Sequence, residues 1–569
     1  MKSFLRKERT REERQKGNRE MAGIKVLQGD QERILDADPN ENLLKLLQDN
    51  GYFIPAACGG NGTCGKCRVD YRLHGKAHSA LACRTEAEDE MEVTLPEWSE
   101  KDIITEGVPG RGAETASGTE LFSSRADIWK GPVSAAVDLG TTTIAAALIS
   151  GAEENNDKAE VIDRKGAWNR QAAYGADVIS RIQYIMEHQE NGLQTLSRTV
   201  RGQTIEMLRA MCERNHIDIS QIGDVYIAGN TIMEHIFCGI SPVSIAAAPF
   251  TPETLFLTDE SPNCDSILMA VDEKKSHQAN IHMAPCVSGY VGGDIVSGLA
   301  ASGMAEREET GLFLDIGTNG EMAIGGKDGL ICCAVASGPA FEGAQIACGM
   351  SASTGAVSAV SWEDGKLRTE VVGEGSPRGI CGSGLVDLLA VLLECNVIDE
   401  SGCFLSPEEA EEEGVSPEML AYLSEDEDGN GMFWISRENE VYFSAQDVRR
   451  LQLAKAAVAA GIEVLLKEKE ISAEQVDRLY IAGGFGKHLN LKSAAAIGMF
   501  PAVLEERAVY AGNASLLGAE RACMEPGVYD KMQEVQAACR YLELSGNETF
   551  NEAYIEQMMF GGEDREEEE

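Results

Sequence analysis

Four cysteines restrict what the first hundred residues of this chain can become. Cys58, Cys64, Cys67 and Cys83 stand as C-x5-C-x2-C-x15-C, three of them inside the stretch CGGNGTCGKC. Three thiolates so close in sequence converge on one small inorganic centre only if the loop folds tightly. Gly59, Gly60, Gly62 and Gly65 permit that, since glycine accepts positive φ and lets backbone N–H groups approach sulfur. Bonds of the N–H···S kind stabilise the added electron of a reduced cluster.

Two centres compete for these ligands. A structural zinc site takes four thiolates, but zinc modules usually pair two short C-x2-4-C knuckles. Here three ligands share one glycine-rich loop and the fourth is isolated. Plant-type ferredoxin spacing begins C-x4-C-x2-C, one residue shorter in the first gap. The pattern predicts a 2Fe-2S cluster on Cys58, Cys64, Cys67 and Cys83. Two short strands over Ile24–Leu35, a short helix over Asn42–Asp49 and the cysteine loop resemble the ferredoxin β-grasp fold, in its adrenodoxin-like branch. The other twelve cysteines show no comparable grouping and are expected to be buried thiols.

The chain has 569 residues, which at roughly 100–200 per domain suggests three to five domains or subdomains. Its 93 acidic and 50 basic side chains give a net charge of -43. That excess argues against a nucleic-acid binder, which needs surplus Lys and Arg to neutralise phosphate. Residues 1–21 form a charged extension with eight basic and four acidic side chains. Met21 opens a strand-like segment, so whether translation starts at Met1 or Met21 stays open. The start lacks the apolar core of a secretory signal, and no stretch is long and apolar enough to span a membrane; a cytoplasmic protein with reduced thiols is expected. Residues 22–97 read as the ferredoxin-like domain and 98–131 as a linker. Residues 132–305 and 306–545 read as two α/β halves, and 546–569 as an acidic tail. The acidic stretch Pro407–Asp428 reads as a solvated loop.

The two halves share a device. In AAVDLGTTTIAAALI (135–149), a strand carries Asp138 to a tight turn, Gly140-Thr141-Thr142-Thr143, and a second strand returns. A turn rich in backbone N–H groups and hydroxyls can cradle phosphate, with the carboxylate orienting Mg²⁺ or its water. Taken alone the pattern is weak, because Asp-x-Gly also marks ordinary hairpins. It recurs 177 positions later in LFLDIGTNGEMAI, with Asp315 before Gly317-Thr318-Asn319-Gly320 and Glu321 beyond. A repeated hairpin predicts a duplicated fold with nucleotide between its halves. A third segment, RLYIAGGFGKHLN, runs a strand into Gly483-Gly484, where backbone can lie close to an adenosine. The helix before it is expected to start at Ser444, capped with Asp447, its stripe Val448, Leu451, Val458, Ile462 and Leu465 facing the core. Gly382 and Gly384 read either as close packing or as lining of the nucleotide cleft. His235, His282 and His488 read as structural.

DLGTTT, DIGTNGE and YIAGGFG in this order resemble the phosphate-1, phosphate-2 and adenosine motifs of the sugar-kinase and actin ATPase superfamily. Joined to the ferredoxin-like segment, they make residues 22 to about 545 resemble the reductive activators of corrinoid proteins. Further segments carry the likeness, among them AGNTIMEHIF (228–237), YVGGDIVSGLA (290–300) and GNASLLGA (512–519). The resemblance implies a β-grasp domain, a linker and a duplicated actin-like, ribonuclease-H-like ATPase fold. It implies electron transfer from the 2Fe-2S cluster to the Co(II) corrinoid of a methyltransferase system, restoring Co(I). Asp138 and Asp315 would then organise Mg-ATP, the glycine turns would hold phosphates, and Glu321 would position water. The partners implied are a corrinoid protein, an upstream electron donor and a second copy of the chain, with neither nucleic acid nor membrane.

Three other readings stay open at this level. One is an activator of radical dehydratases or aryl-CoA reductases, which holds a 4Fe-4S cluster between subunits and which the ferredoxin-like N-terminus disfavours. The second is an electron-transfer module with a decayed nucleotide fold, and the third a redox-sensing small-molecule kinase.

Overall fold

The computed structural model describes residues 22–28, 31–38, 40–50, 52, 54, 62, 67–95, 105, 132–151, 159–257, 269–272, 277–317 and 319–561. The extension 1–21, nearly all of the linker 98–131, and Cys58, Cys64 and Thr318 lie outside the described residues. The chain divides into two compact units, Met1–Ser99 with Arg170–Tyr184, and Glu100–Asn169 with Ile185–Glu569.

The first unit contains a five-stranded sheet in the order β2-β1-β5-β3-β4. Its strands are β1 (Ala22–Gln28), β2 (Gln31–Ala37), β3 (Arg68–Leu73), β4 (Lys76–Leu81) and β5 (Glu92–Leu95). β1 pairs antiparallel with β2 and parallel with β5. Alternation places Ile24, Val26, Leu35, Val69 and Val93 in one apolar cluster with Leu43, Leu44, Leu46 and Leu47. Those leucines belong to the helix Leu43–Asp49, whose first turn Asn42 caps by accepting from Lys45 N. The two strands and the helix read from sequence are present.

The second unit is built on two six-stranded sheets. One runs β10-β11-β9-β6-β7-β8, from β6 (Val133–Leu139), β7 (Thr143–Ser150), β8 (Val161–Trp168), β9 (Ile222–Gly229), β10 (Met269–Asp272) and β11 (His277–Met283). The second half begins with the meander β12 (Gly311–Ile316), β13 (Gly320–Gly326) and β14 (Gly329–Val335). Two small three-stranded sheets follow: β15 (Ala356–Glu363), β16 (Lys366–Val371) and β17 (Gly379–Ile380), then β18 (Leu423–Glu425), β19 (Gly431–Ser436) and β20 (Val441–Ser444). With β21 (Arg478–Ala482), β22 (Ala508–Gly512) and β23 (Cys539–Tyr541) the second large sheet runs β22-β21-β12-β13-β14-β23.

The large sheets share a plan. β8-β7-β6 and β14-β13-β12 are antiparallel meanders, and each is extended by two parallel strands, β9 and β11 or β21 and β22. The hairpin repeat in the sequence is therefore a repeat of the fold, built on one α/β plan twice. Helices Gly293–Ser302 and Ala514–Met524 cross closely between the halves, with Ser297 Oγ donating to Ser515 O at 2.8 Å. Gly518 makes the approach possible, because a Cβ there would stand 2.2 Å from Ser297 O. Arg164 of β8 adds a two-pronged bond to the buried Glu520.

The long helix Ala445–Lys469 starts where the sequence placed it, with Ser444 and Asp447 forming a reciprocal capping box. Its stripe Val448, Leu451, Val458, Ile462 and Leu465 is 0–1 % exposed.

Three expectations need correction. Pro407–Asp428 is not a loop: helices Pro407–Glu412 and Pro417–Leu420 and strand β18 occupy it, anchored by buried Ala410, Val415 and Met419. The glutamates face solvent, which is why charge hid the apolar anchors. The span 546–569, read as a tail, holds helix Glu548–Glu556 packed against Ala445–Lys469. Among the cysteines outside the cluster motif, Cys212, Cys286, Cys332, Cys333 and Cys381 are buried as expected, but Cys403 is exposed. No helix among the described residues is long and apolar enough to cross a membrane.

Candidate functional site

Within the first unit, the β3–β4 hairpin brings two cluster-motif cysteines to one end. Arg68 pairs with Leu81, and one step beyond, Ala82 N donates to Cys67 O at 2.8 Å. Cys83 follows in the short turn Ala82–Arg84, where its carbonyl accepts from Asn42 Nδ2 at 2.9 Å. The residue that caps the helix thus also fixes the Cys83 backbone. Cys67 is 1 % and Cys83 9 % exposed, inside the apolar cluster. Gly62, within the glycine-rich loop, has φ +76° and the Arg84 side chain lies against it. Positive φ at Gly62 and two buried thiols at one end of the hairpin suit an iron–sulfur cluster.

The second unit gathers carboxylates. Asp138 and Asp315 are the penultimate residues of β6 and β12, and occupy matching places in the two sheets: Asp138 pairs with Ala228 of β9, and Asp315 with Ala482 of β21. Asp138 Oδ2 accepts from Asn513 Nδ2 and Oδ1 from Ser515 Oγ, both at 2.9 Å. Glu321 sits directly opposite Asp315 across the hairpin. Like charges placed so repel, and burial removes the water that would screen them.

Protonation follows from that crowding. Burial, then the Asp138 charge, pushes Asp315 up to about 7. Asp294, in the first turn of helix Gly293–Ser302, is pushed up to about 8 by burial and by the charges of Asp315 and Asp138. Glu321 is raised well above the carboxylate range by burial, Asp294 and Asp315. Asp138 is raised by burial against the opposing pull of Asn513 and Ser515. A cation beside Asp138 and Asp315 would favour their ionised forms. No three His, Cys, Asp or Glu among the described residues close round a single metal ion. Asp138 and Asp315, each beside a glycine turn, would fit Mg²⁺, which keeps several waters and binds through one or two carboxylates plus phosphate.

The turns are braced from neighbouring elements. Gly140 O accepts from Asn169 Nδ2, and Asn169 N donates to Thr142 O, both at 2.9 Å. Thr141 Oγ1 accepts from Asn230 Nδ2 at 2.9 Å, and Asn230 in turn caps the helix Thr231–Cys238. Thr143 opens β7. In the second turn, Gly317 N donates to Asn319 O at 3.0 Å, and a Cβ on Gly320 would stand 2.9 Å from Val335 Cγ2. Gly483 has φ +87°, and a Cβ there would lie 2.6 Å from Asp315 Oδ1; Gly484 has open space round it. The adenosine-type turn thus lies directly against the second phosphate-type hairpin. Gly382 and Gly384 answer to packing: a Cβ would meet Phe341 O at 1.9 Å or Val357 O at 2.3 Å.

The sequence reading missed Asp294, Asn169, Asn230, Asn513 and Ser515 as individuals. Four of them lie in segments already marked, YVGGD, AGNT and GNAS, at or just inside a helix start. Among the described residues the three histidines enter no group that could hold a metal ion. His235 is buried with Nδ1 2.7 Å from Thr231 O, His282 Nε2 lies 2.9 Å from Asp224 Oδ1, and His488 is exposed in a short turn.

Comparison with known proteins follows this division. A model described as the 2Fe-2S iron-sulfur cluster binding domain matches residues 26–88, a span that includes all four motif cysteines. One described as the RACo middle region matches 133–307, and one described as the C-terminal domain of RACo, the ASKHA domain, matches 309–568. A solved structure titled reductive activator for corrinoid,iron-sulfur protein is 30 % identical, covers 94 % of this chain and 98 % of its own, and superposes with a TM-score of 0.64. The chain belongs to the reductive activators of corrinoid proteins. Among relatives of this activator family, the corrinoid activation enzyme RamQ of Eubacterium limosum is 26 % identical over 93 % of this chain and 98 % of its own. A Co(II) methylated amine-specific corrinoid protein reductase of Methanosarcina barkeri is 24 % identical over 66 % of this chain and 70 % of its own. Family membership decides between the readings the sequence left open: the activator of corrinoid proteins stands, ahead of dehydratase activators and small-molecule kinases.

Proposed function

We propose that this chain is an ATP-dependent reductive activase that returns the Co(II) corrinoid of a methyltransferase-system protein to Co(I). The observation that carries the proposal is the presence, in one chain of this family, of a four-cysteine ferredoxin-type motif and a duplicated, carboxylate-lined nucleotide fold. Cys58, Cys64, Cys67 and Cys83 would hold a 2Fe-2S cluster, which supplies a low-potential one-electron donor. Asp138 and Asp315 would orient Mg²⁺ and its waters, and the turns Gly140–Thr143 and Gly317–Gly320 would hold phosphates. Gly483 and Gly484 would face the adenosine, and Glu321 would position water.

Nucleotide has a thermodynamic task in this scheme. Plant-type 2Fe-2S centres lie near about -400 mV, and each 100 mV of uphill transfer costs roughly 2.3 kcal/mol. Nucleotide shifts that balance only through different affinity for two states of the activator and its partner. The Asp138–Asn513 and Asp138–Ser515 bonds join the phosphate hairpin of one half to a helix following β22 of the other, so an ion or phosphate at Asp138 acts on both halves.

The partners in this reading are a corrinoid protein, an upstream electron donor and a second copy of the chain, in the cytoplasm. Reduced protein, a Co(II) corrinoid protein and Mg-ATP, mixed without oxygen, should give the Co(I) absorption spectrum. Co(I) yield that is the same without nucleotide overturns the coupling. Iron analysis finding a four-iron cluster that is lost on Cys58→Ala would instead support the dehydratase-activator type of chemistry.

A further inference from the structure

Tyr510 lies on β22, paired in register with Ile481 of β21, the strand that leads into Gly483 and Gly484. Its ring packs under the turn that follows those glycines: a Cβ built on Gly486 would fall 3.1 Å from Tyr510 Cε2. The hydroxyl oxygen is buried and has no hydrogen-bond partner among the described residues. Burying a hydroxyl without a partner costs about 1–3 kcal/mol, and the large majority of buried polar side-chain atoms are satisfied. Phenylalanine would fill the same ring volume at no such cost. The hydroxyl therefore calls for a reason outside the packing.

Its surroundings supply one. Burial, and after it the charge of Asp315, holds the phenol above its ordinary range. The group is therefore a neutral donor at any physiological pH, with a proton to give and an acceptor to find. Tyr480 offers an internal contrast. Its hydroxyl is likewise buried and unpartnered, but its ring lies against Gly311, at the opposite end of β12 from Asp315.

We propose that Tyr510 is a nucleotide-contact residue, its hydroxyl donating to an acceptor oxygen of the bound nucleotide beside Asp315 and the Gly483–Gly484 turn. This rests on the reading of the second unit as a nucleotide site. The contact would add a hydrogen-bond donor that neither hairpin motif encodes.

The test uses the full-length, cluster-loaded protein and its Tyr510→Phe and Tyr480→Phe variants, titrated with Mg-ATP by calorimetry, with nucleotide-free melting temperatures alongside. Tyr510→Phe should weaken Mg-ATP binding about 5- to 30-fold, the range of one hydrogen bond, while its melting temperature stays level or rises. Tyr480→Phe should bind Mg-ATP as the wild type does. Wild-type affinity in Tyr510→Phe, or equal weakening in both variants, overturns the assignment. Wild-type protein that binds no Mg-ATP would remove the nucleotide reading itself, and this contact with it.

Discussion

Asn513 donates from Nδ2 to Asp138 Oδ2 at 2.9 Å, although 375 residues separate them in sequence. Asn513 also caps the helix Ala514–Met524 through Leu516 N, so one side chain fixes a helix start and a carboxylate of the other half. Ser515 holds the second oxygen of Asp138 without a capping role. A hydrogen bond to a charged group is worth about 1.5–3 kcal/mol, and a lost cap about 1 kcal/mol. Ser515→Ala should therefore weaken Mg-ATP binding about 10-fold with little change in melting temperature, whereas Asn513→Ala should lower both. Titration calorimetry and thermal melts separate the two effects. Unchanged affinity in Ser515→Ala would remove Asp138 from the cation side of the site.

Stability without nucleotide should fall as pH rises from about 4 to about 8. Asp315 and Asp294 sit at about 7 and about 8, burial being the larger cause for each. Unfolded aspartate ionises near about 3.9, so these groups favour the folded state while protonated. That contribution is full below about pH 4 and is lost as pH rises through about 7–8. Asp294→Asn should flatten the dependence between about pH 4 and pH 8 in melting curves. Mg-ATP affinity should run the other way over the same window, because the cation needs the ionised groups.

The segments that form this site are legible in the sequence, but most of its contacts are not. The two hairpins, the Ser444–Asp447 box and the helix capped by Asn42 each depend on residues within a few positions of one another, so spacing reveals them. Asp294 depends on a crossing of two helices that are distant in sequence, and nothing near it in the chain announces Asp138 or Asp315. In Pro407–Asp428 the failure was different. Ser406 and Glu409 form a capping box there, but ten acids overwhelmed the apolar signal of Ala410, Val415 and Met419.

Gly483 offers a steric test that leaves the cluster untouched. Its φ of +87° and the 2.6 Å between its virtual Cβ and Asp315 Oδ1 both oppose any larger residue. A left-handed conformation alone costs a non-glycine residue about 1–2 kcal/mol. Gly483→Val should abolish measurable Mg-ATP binding while the electron paramagnetic resonance signal of the reduced cluster keeps its wild-type shape and intensity. Gly484→Ala, with open space round it, should fold normally, so any loss it shows reports contact with ligand.

Lys455 should prove structural. It is fully buried in the long helix, donates to Gln557 O and Met559 O at 2.8 Å each, and burial lowers it to about 8. Removing its charge relieves desolvation but leaves two carbonyls unpaired, so Lys455→Met should cost about 1–3 kcal/mol in urea unfolding. Limited proteolysis should then cut within 548–561 faster, with Mg-ATP affinity unchanged. Wild-type unfolding and proteolysis in this variant would show that the segment is held by its apolar contacts alone.

The central claim is that nucleotide held at Asp315 governs delivery of an electron held at the cysteine motif. The most direct measurement is Co(I) yield, read by absorbance, when pre-reduced protein meets a Co(II) corrinoid protein with Mg-ATP under anaerobic conditions. Asp315→Asn should keep its reduced-cluster signal and give no Co(I), while Cys67→Ser should keep its Mg-ATP affinity and give none either. Co(I) produced by Asp315→Asn at the wild-type rate would contradict the account.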